Sequence, residues 1–167
     1  PKGFLPGSDV ANLSILGYNP SKYYSGRAPL EAAYRGIKLK NGEVAFRCNL
    51  VTLKFPESGN INQAIMEDYS AGHITTTEAK ALIREVNKRL GDKKIIFYPG
   101  VSYRHLMIWK NGKNKVQCTP PHDITGKKVS RYLPAGNGAG VLKMLMENSP
   151  YVLLSHPVNR KRIKQGL

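Results

Sequence analysis

The stretch Thr75-Thr76-Thr77-Glu78-Ala79-Lys80-Ala81-Leu82-Ile83-Arg84-Glu85-Val86-Asn87-Lys88-Arg89-Leu90-Gly91 carries the clearest structural pattern in the chain. Thr75 and Glu78 have the spacing of a capping box, in which each side chain bonds the other's backbone N–H. Ala79, Leu82, Ile83, Val86 and Leu90 recur at helical spacing and form one apolar stripe. Gly91 supplies a stop. A helix is predicted over 76–90. Downstream, 94–98 reads as a strand ended by Pro99-Gly100, and 102–110 as a longer strand. Asn111-Gly112 then begins a turn into a strand at 115–119. Upstream, 43–54 reads as one strand. Val44, Phe46, Cys48 and Leu50 share a face, and Arg47 and Asn49 lie on the other beside Ala45 and Val51. Turn residues fill Pro56 to Asn60, so 61–67 can return as an antiparallel partner. Interleaved strands and helices with at least two hairpins predict an α+β fold: a mixed or antiparallel sheet with helices packed on it.

The flanks are less regular. Segment 1–42 is punctuated by Gly and Pro and holds short helix candidates near 9–16 and 29–36. Val10, Leu13 and Leu16 fall on one face of the first, and Gly17 can end it. The segment has few apolar residues of its own and is expected to lie apart from the core. After Pro120-Pro121 the stretch 122–136 reads as a loop. A helix over 137–148 turns Val141, Leu142 and Leu145 inward, and shorter helical pieces follow near 150–155 and 158–165.

Composition narrows the function. The 167 residues suit one domain, and 41% apolar content suffices for a core. No apolar run approaches the ~20 residues of a bilayer span. Pro1-Lys2-Gly3 lacks the regions of a secretory signal. Two cysteines, Cys48 and Cys118, make neither a disulfide framework nor a zinc site. A reducing, cytoplasmic setting is expected. Pro1 in place of Met points to a cut from a longer chain. The net charge of +15 favours anionic partners: nucleic acid, a small phosphorylated or carboxylated metabolite, or only a solvated basic surface. Arg160-Lys161-Arg162 with Lys164 reads as a solvated helix face behind Pro157. Nucleic-acid signatures are absent, as are a P-loop and a Gly-x-Ser-x-Gly elbow.

Four places concentrate polar groups. Ser8, in Gly7-Ser8-Asp9-Val10-Ala11-Asn12, stands at the start of a predicted helix. There it can receive a phosphoryl group beside open N–H groups, or it can be an ordinary N-cap. Asp68 and His73 flank Tyr69-Ser70-Ala71-Gly72. They form an acid/base pair if the Gly72 turn folds them together, and otherwise a polar loop. In Tyr103-Arg104-His105, neighbours on a regular strand point to opposite faces, so Arg104 and His105 share a site only if the strand is bulged or ends there. His122-Asp123, after Pro120-Pro121, offers two adjacent metal-binding groups without a third, or a rigid surface loop.

Taken together, these segments resemble one family. The matching stretches are Gly7-Ser8-Asp9-Val10-Ala11-Asn12-Leu13-Ser14, Tyr23-Tyr24-Ser25-Gly26-Arg27 with Pro29-Leu30-Glu31-Ala32-Ala33, and Val44-Ala45-Phe46-Arg47-Cys48-Asn49-Leu50-Val51-Thr52. They continue with Asp68-Tyr69-Ser70-Ala71-Gly72-His73-Ile74 and Phe97-Tyr98-Pro99-Gly100-Val101-Ser102-Tyr103-Arg104-His105. Thr119-Pro120-Pro121-His122-Asp123-Ile124-Thr125-Gly126-Lys127 and His156-Pro157-Val158-Asn159-Arg160 complete the set. They resemble the archaeal-type 2,3-bisphosphoglycerate-independent phosphoglycerate mutases of the alkaline phosphatase superfamily.

The resemblance implies that Ser8 attacks the phosphoryl group of 3-phosphoglycerate and returns it to the neighbouring hydroxyl, giving 2-phosphoglycerate. It implies two divalent metal ions (manganese, zinc or magnesium), with Ser8 as a ligand in the complete enzyme. Arg27, Arg47, Asp68, His73, Arg104 and His105 match motif positions expected to line the substrate cleft. An Asp-Gly segment is expected before residue 1 and an Asp-His segment after residue 167. The chain is therefore read as an internal piece, inactive and free of metal by itself: a nucleophile-bearing segment over 1–42 and an inserted substrate-binding cap over 43–167. The alternatives are a phosphotransferase on the same scaffold, such as a homoserine kinase-like member, and a basic nucleic-acid-binding module.

Overall fold

The computed structural model describes residues 7–58, 60 and 63–167. The three-stranded sheet comes from β1 (Glu43–Asn49), β4 (Ile95–Val101) and β5 (Arg104–Lys110), in the antiparallel order β1-β5-β4. Leu106, Met107 and Ile108 of the central strand are all buried because both faces of the sheet are covered. On one face lie α4 (Thr76–Leu90) and α5 (Ala139–Ser155). Leu82, Ile83, Val86, Leu142 and Leu145 pack there with Phe97 and Met107. On the other face lies α3 (Arg27–Tyr34), whose Ala28 and Ala32 sit against Ala45, Leu106 and Ile108. The alternation of β1 is as the pattern predicts: Phe46 and Cys48 join the α4 side and Ala45 the α3 side. Seating α3 on the sheet corrects the expectation that 1–42 lies apart. Small alanines let this short helix approach closely, so few apolar residues suffice.

The α4 helix spans the predicted residues. Thr75 Oγ1 accepts from Glu78 N–H, and the Glu78 carboxylate accepts from Thr75 N–H. The expected strand 43–54 is two strands. Leu50 donates its N–H to Tyr103 O at 3.0 Å, where the β4–β5 hairpin turns. The chain therefore runs out of sheet partner, and β2 (Thr52–Lys54) pairs instead with β3 (Ile65–Asp68) in a separate antiparallel pair. Residues 61 and 62 of the expected return strand, and Gly59 of the turn, lie outside the described residues. Met66 of β3 packs with Ile124 and Val129 from two 3-10 turns, Pro121–Ile124 and Val129–Tyr132, within the stretch read as a loop.

Prolines account for two further differences. β4 continues through Pro99-Gly100 to Val101, because an edge strand tolerates the missing N–H and a register shift between Tyr98 and Val101 absorbs the distortion. The helical pieces at 137–148 and 150–155 are one helix with Pro150 inside, held beyond the proline by buried Val152. The expected strand 115–119 reduces to one bridge between Gln117 and Ala135. The first and last helices are α1 (Ser8–Ile15) and α6 (Pro157–Lys164), with a single turn α2 (Pro20–Tyr23) after α1. Val10 is buried but Leu16 is 70% exposed, so the predicted apolar face of α1 is only partly covered. The basic run on α6 is not wholly solvated: Arg162 is 6% exposed and donates to Ala71 O at 2.5 Å and to Glu78 Oε2 at 3.2 Å. Among the described residues no helix is long and apolar enough to cross a membrane.

Candidate active site

Gly7, extended at φ −159°, is the N-cap of α1, so Ser8 is the first helical residue and no side chain caps the helix. The N-cap reading of Ser8 is thereby overturned. Its hydroxyl stands in the first turn, where the helix dipole favours negative charge. A cavity of about 330 Å³ opens there. Asn12 and Asp9 join Ser8 from α1, Leu30, Glu31 and Arg27 line it from α3, and Arg47 and Arg104 reach it from the sheet.

The sheet supplies those two arginines by register. Asn49 pairs with Arg104 and Arg47 with Leu106, so both arginines project from the α3 face at one end of the sheet. His105, one residue on, points to the other face and is 1% exposed. Its Nδ1 accepts the Gly100 N–H at 2.9 Å, while its Nε2 is buried without a partner among the described residues. Burial, then the charge of Arg35, pushes its pKa down to about 4. His105 is a neutral strut inside the β4 distortion, not a cleft residue.

The cavity's charges are organised around two carboxylates. Arg27 donates from Nη2 to Ser8 Oγ and from Nε to Asp9 Oδ2, each at 3.2 Å. The Tyr24 hydroxyl donates to the same Asp9 oxygen. Burial alone raises the Asp9 carboxyl; the Tyr24 bond, backbone N–H groups and Arg27 outweigh it and hold it below the usual range. Glu31 lies 3.0 Å from Arg47 Nε and 3.9 Å from Arg35 Nη2. Sequence reasoning assigned no role to Asp9, Tyr24 and Glu31. The i,i+4 spacing of Arg27, Glu31 and Arg35 on one helix was the available signal for Glu31. For Tyr24 there was none, because its contact spans fifteen residues of chain.

Ser8, Arg27, Arg47 and Arg104 are thus brought together, and Asp68, His73 and His105 lie outside this lining. Asp68 does not face His73 as an acid/base pair. Its carboxylate accepts from Ser70 N–H and Ser70 Oγ, both at 2.8 Å, and from Gly72 N–H at 2.6 Å. Burial raises this carboxyl, but those bonds and the His73 charge bring it below the usual range. The loop is self-satisfied, with Ala71, Gly72 and His73 all at positive φ, and His73 is exposed. His122 pairs with Asp123 at 3.3 Å on the surface and sets its ring edge-on against Tyr69.

The two divalent ions implied by the resemblance do not fit the residues described. Both carboxylates of the cavity are engaged by arginines, and no group of three or more His, Cys, Asp or Glu side chains is placed to hold a metal ion among the described residues. What the arrangement can do is bind an anion: three guanidinium groups line one cavity with a hydroxyl at a helix N-terminus, and one of them donates to that hydroxyl.

Comparison with known proteins places the chain in a family. A family model described as 2,3-bisphosphoglycerate-independent phosphoglycerate mutase matches residues 1–159. The 2,3-bisphosphoglycerate-independent phosphoglycerate mutase of Methanosarcina barkeri is 53% identical over 167 residues, covering 99% of this chain and 40% of the relative. A probable 2,3-bisphosphoglycerate-independent phosphoglycerate mutase of Geobacter sulfurreducens is 50% identical over 166 residues, 99% of this chain and 41% of its own length. In fold, the chain is similar to a cofactor-independent phosphoglycerate mutase from Thermoplasma acidophilum, with a TM-score of 0.66 at 24% identity, over 97% of this chain and 43% of that one. The chain spans about 40% of the length of the curated relatives it matches.

Proposed function

The chain belongs to the 2,3-bisphosphoglycerate-independent phosphoglycerate mutase family, and from that membership we propose that the complete protein interconverts 3-phosphoglycerate and 2-phosphoglycerate through a phosphoserine at Ser8. The observation that carries the proposal is the Ser8 hydroxyl at the first position of α1, accepting a hydrogen bond from Arg27 Nη2 at 3.2 Å inside a cavity shared with Arg47 and Arg104. A guanidinium donating to Oγ leaves the serine's own proton free to depart and favours the developing alkoxide. Attack forms the Oγ–P bond and breaks the bond from phosphorus to the substrate's 3-oxygen, which takes up the serine proton. The reverse step on the 2-oxygen completes an isomerisation that needs no further reactant. The arginines stabilise charge on the phosphoryl oxygens and hold the substrate carboxylate. Their convergence in a cavity supports a small anion over nucleic acid.

In this reading residues 1–42 are the nucleophile-bearing segment, and 43–167 are the cap that brings Arg47 and Arg104 over it. The divalent ions would be held by side chains of the complete protein other than those described, with Ser8 as the one ligand this chain would add, and the reaction is assigned to the cytoplasm. The test is a chimera in which this chain replaces the matching stretch of the Methanosarcina barkeri relative. Acid-quenched during turnover of 3-phosphoglycerate with manganese, it is expected to carry phosphate on Ser8, mapped by mass spectrometry. Ser8→Ala is expected to lower turnover by about a thousandfold or more with the melting temperature unchanged, because Ser8 caps nothing. The 167-residue chain alone is expected to turn over nothing. Phosphate trapped on any other side chain would overturn the assignment.

A further inference from the structure

Arg27 donates to the Ser8 hydroxyl, yet its side chain is 44% exposed. A long, exposed arginine explores many rotamers, so something must keep its Nη2 on Ser8. The anchor is Asp9, tied to Ser8 by the backbone, whose Oδ2 takes Arg27 Nε at 3.2 Å. A carboxylate beside an arginine, however, prefers the two-toothed arrangement that engages both Nε and Nη2. Such a rotation would strip Nη2 from the serine. In this structure Asp9 is held from rotating by a second donor on the same oxygen, the Tyr24 hydroxyl, delivered from the C-terminal end of α2. Asp9 therefore grips Arg27 by one tooth and leaves the other for Ser8.

Resting on the reading of Ser8 as nucleophile, we propose that Tyr24 is a positioning residue: by pinning the Asp9 carboxylate it sets the Arg27 guanidinium on the serine hydroxyl. The Tyr24 hydroxyl acts on the serine through Asp9. Burial, then the hydrogen bond and charge of Asp9, raises its own pKa, so the phenol keeps its proton and remains a donor under all ordinary conditions.

The test uses the same chimera with Tyr24→Phe, Asp9→Asn and the double variant. Tyr24→Phe is expected to lower kcat about tenfold, the scale of one charge-assisted hydrogen bond, with KM changed less than about twofold because substrate contacts remain. The double variant is expected to be no slower than Asp9→Asn, since both act through one carboxylate. In ¹⁵N-arginine NMR the Arg27 Nε–H of Tyr24→Phe is expected at a shifted position. A Tyr24→Phe kcat within about twofold of the parent, or multiplying effects in the double variant, would overturn the proposal. If Tyr24→Phe does not fold, Asp9→Asn reads the same contact from the acceptor side, with the same kcat loss expected and an unchanged kcat fatal. Failure of the Ser8 reading is separable: it appears as phosphate mapped to another residue, while the NMR shift still reports whether Tyr24 positions Arg27.

Discussion

Lowering the pH should weaken this fold through His105. The ring is 1% exposed, its Nδ1 holds the Gly100 N–H, and its pKa is pushed down to about 4, by burial first and then by Arg35. In the unfolded chain a histidine titrates at about 6.5. The folded state thus binds this proton less well than the unfolded state. The stability in question is fully present above about pH 6.5 and is lost as the pH falls toward 4. At about 1.4 kcal/mol for each pH unit between the two values, protonating His105 within the fold costs about 3 kcal/mol. About 2 kcal/mol of this is already lost at about pH 5. The assay is urea unfolding of the 167-residue chain at about pH 7.5 and about pH 5, compared with His105→Asn, whose Oδ1 can still accept from Gly100. Fluorescence of Trp109, the single tryptophan, reports on the sheet. Asp9, Asp68 and Glu78, with carboxyls below their usual range, also lose stability on acidification, but both proteins carry them and their effect cancels. The parent should lose about 2 kcal/mol more than the variant between the two conditions. Equal losses would refute the buried neutral imidazole.

Two other perturbations probe the packing that frames the cavity. Arg162→Met removes the donor to Ala71 O and Glu78 Oε2. It should cost about 2–3 kcal/mol in urea unfolding, at or just below the range of about 3–5 kcal/mol for a broken buried pair because Glu78 is 28% exposed. A loss under about 1 kcal/mol would mean that α6 is not anchored this way. Gly100→Ala would set a Cβ 2.0 Å from Arg104 O and 2.2 Å from Arg35 Nη1. It should therefore destabilise by about 2 kcal/mol or more and lower the melting temperature by several degrees; an unchanged melting temperature would show that the β4 distortion yields.

Legibility in the sequence followed the range of the forces. The α4 helix could be read because its cap, stripe and stop lie within seventeen residues and act locally. The alternation of β1 told which of its side chains face together, and with it that Arg47 and Cys48 part company. The prolines misled because their effect depends on surroundings: Pro99 is tolerated on an edge, and Pro150 is overridden by the burial of Val152. For the site, the place of Ser8 at a helix start was legible from its own neighbours, while the meeting of Arg27, Arg47 and Arg104 in its cavity was not. Asp68 and His105 have suitable chemistry, but a loop consumes the one and the core the other.

The amino-acid order by itself determined α4, the alternating faces of β1 and the family likeness, since each is carried by neighbours along the chain. Only the tertiary structure decided that Arg104 stands across from Asn49 and lines one cavity with Arg47 and Ser8, and that His105 turns away. Strand pairing and register are contacts between distant segments, and their energy depends on which partner is present and which face it covers. That information is absent from any single stretch of sequence, and it separates three guanidinium groups lining one cavity with a hydroxyl from a scatter of basic residues.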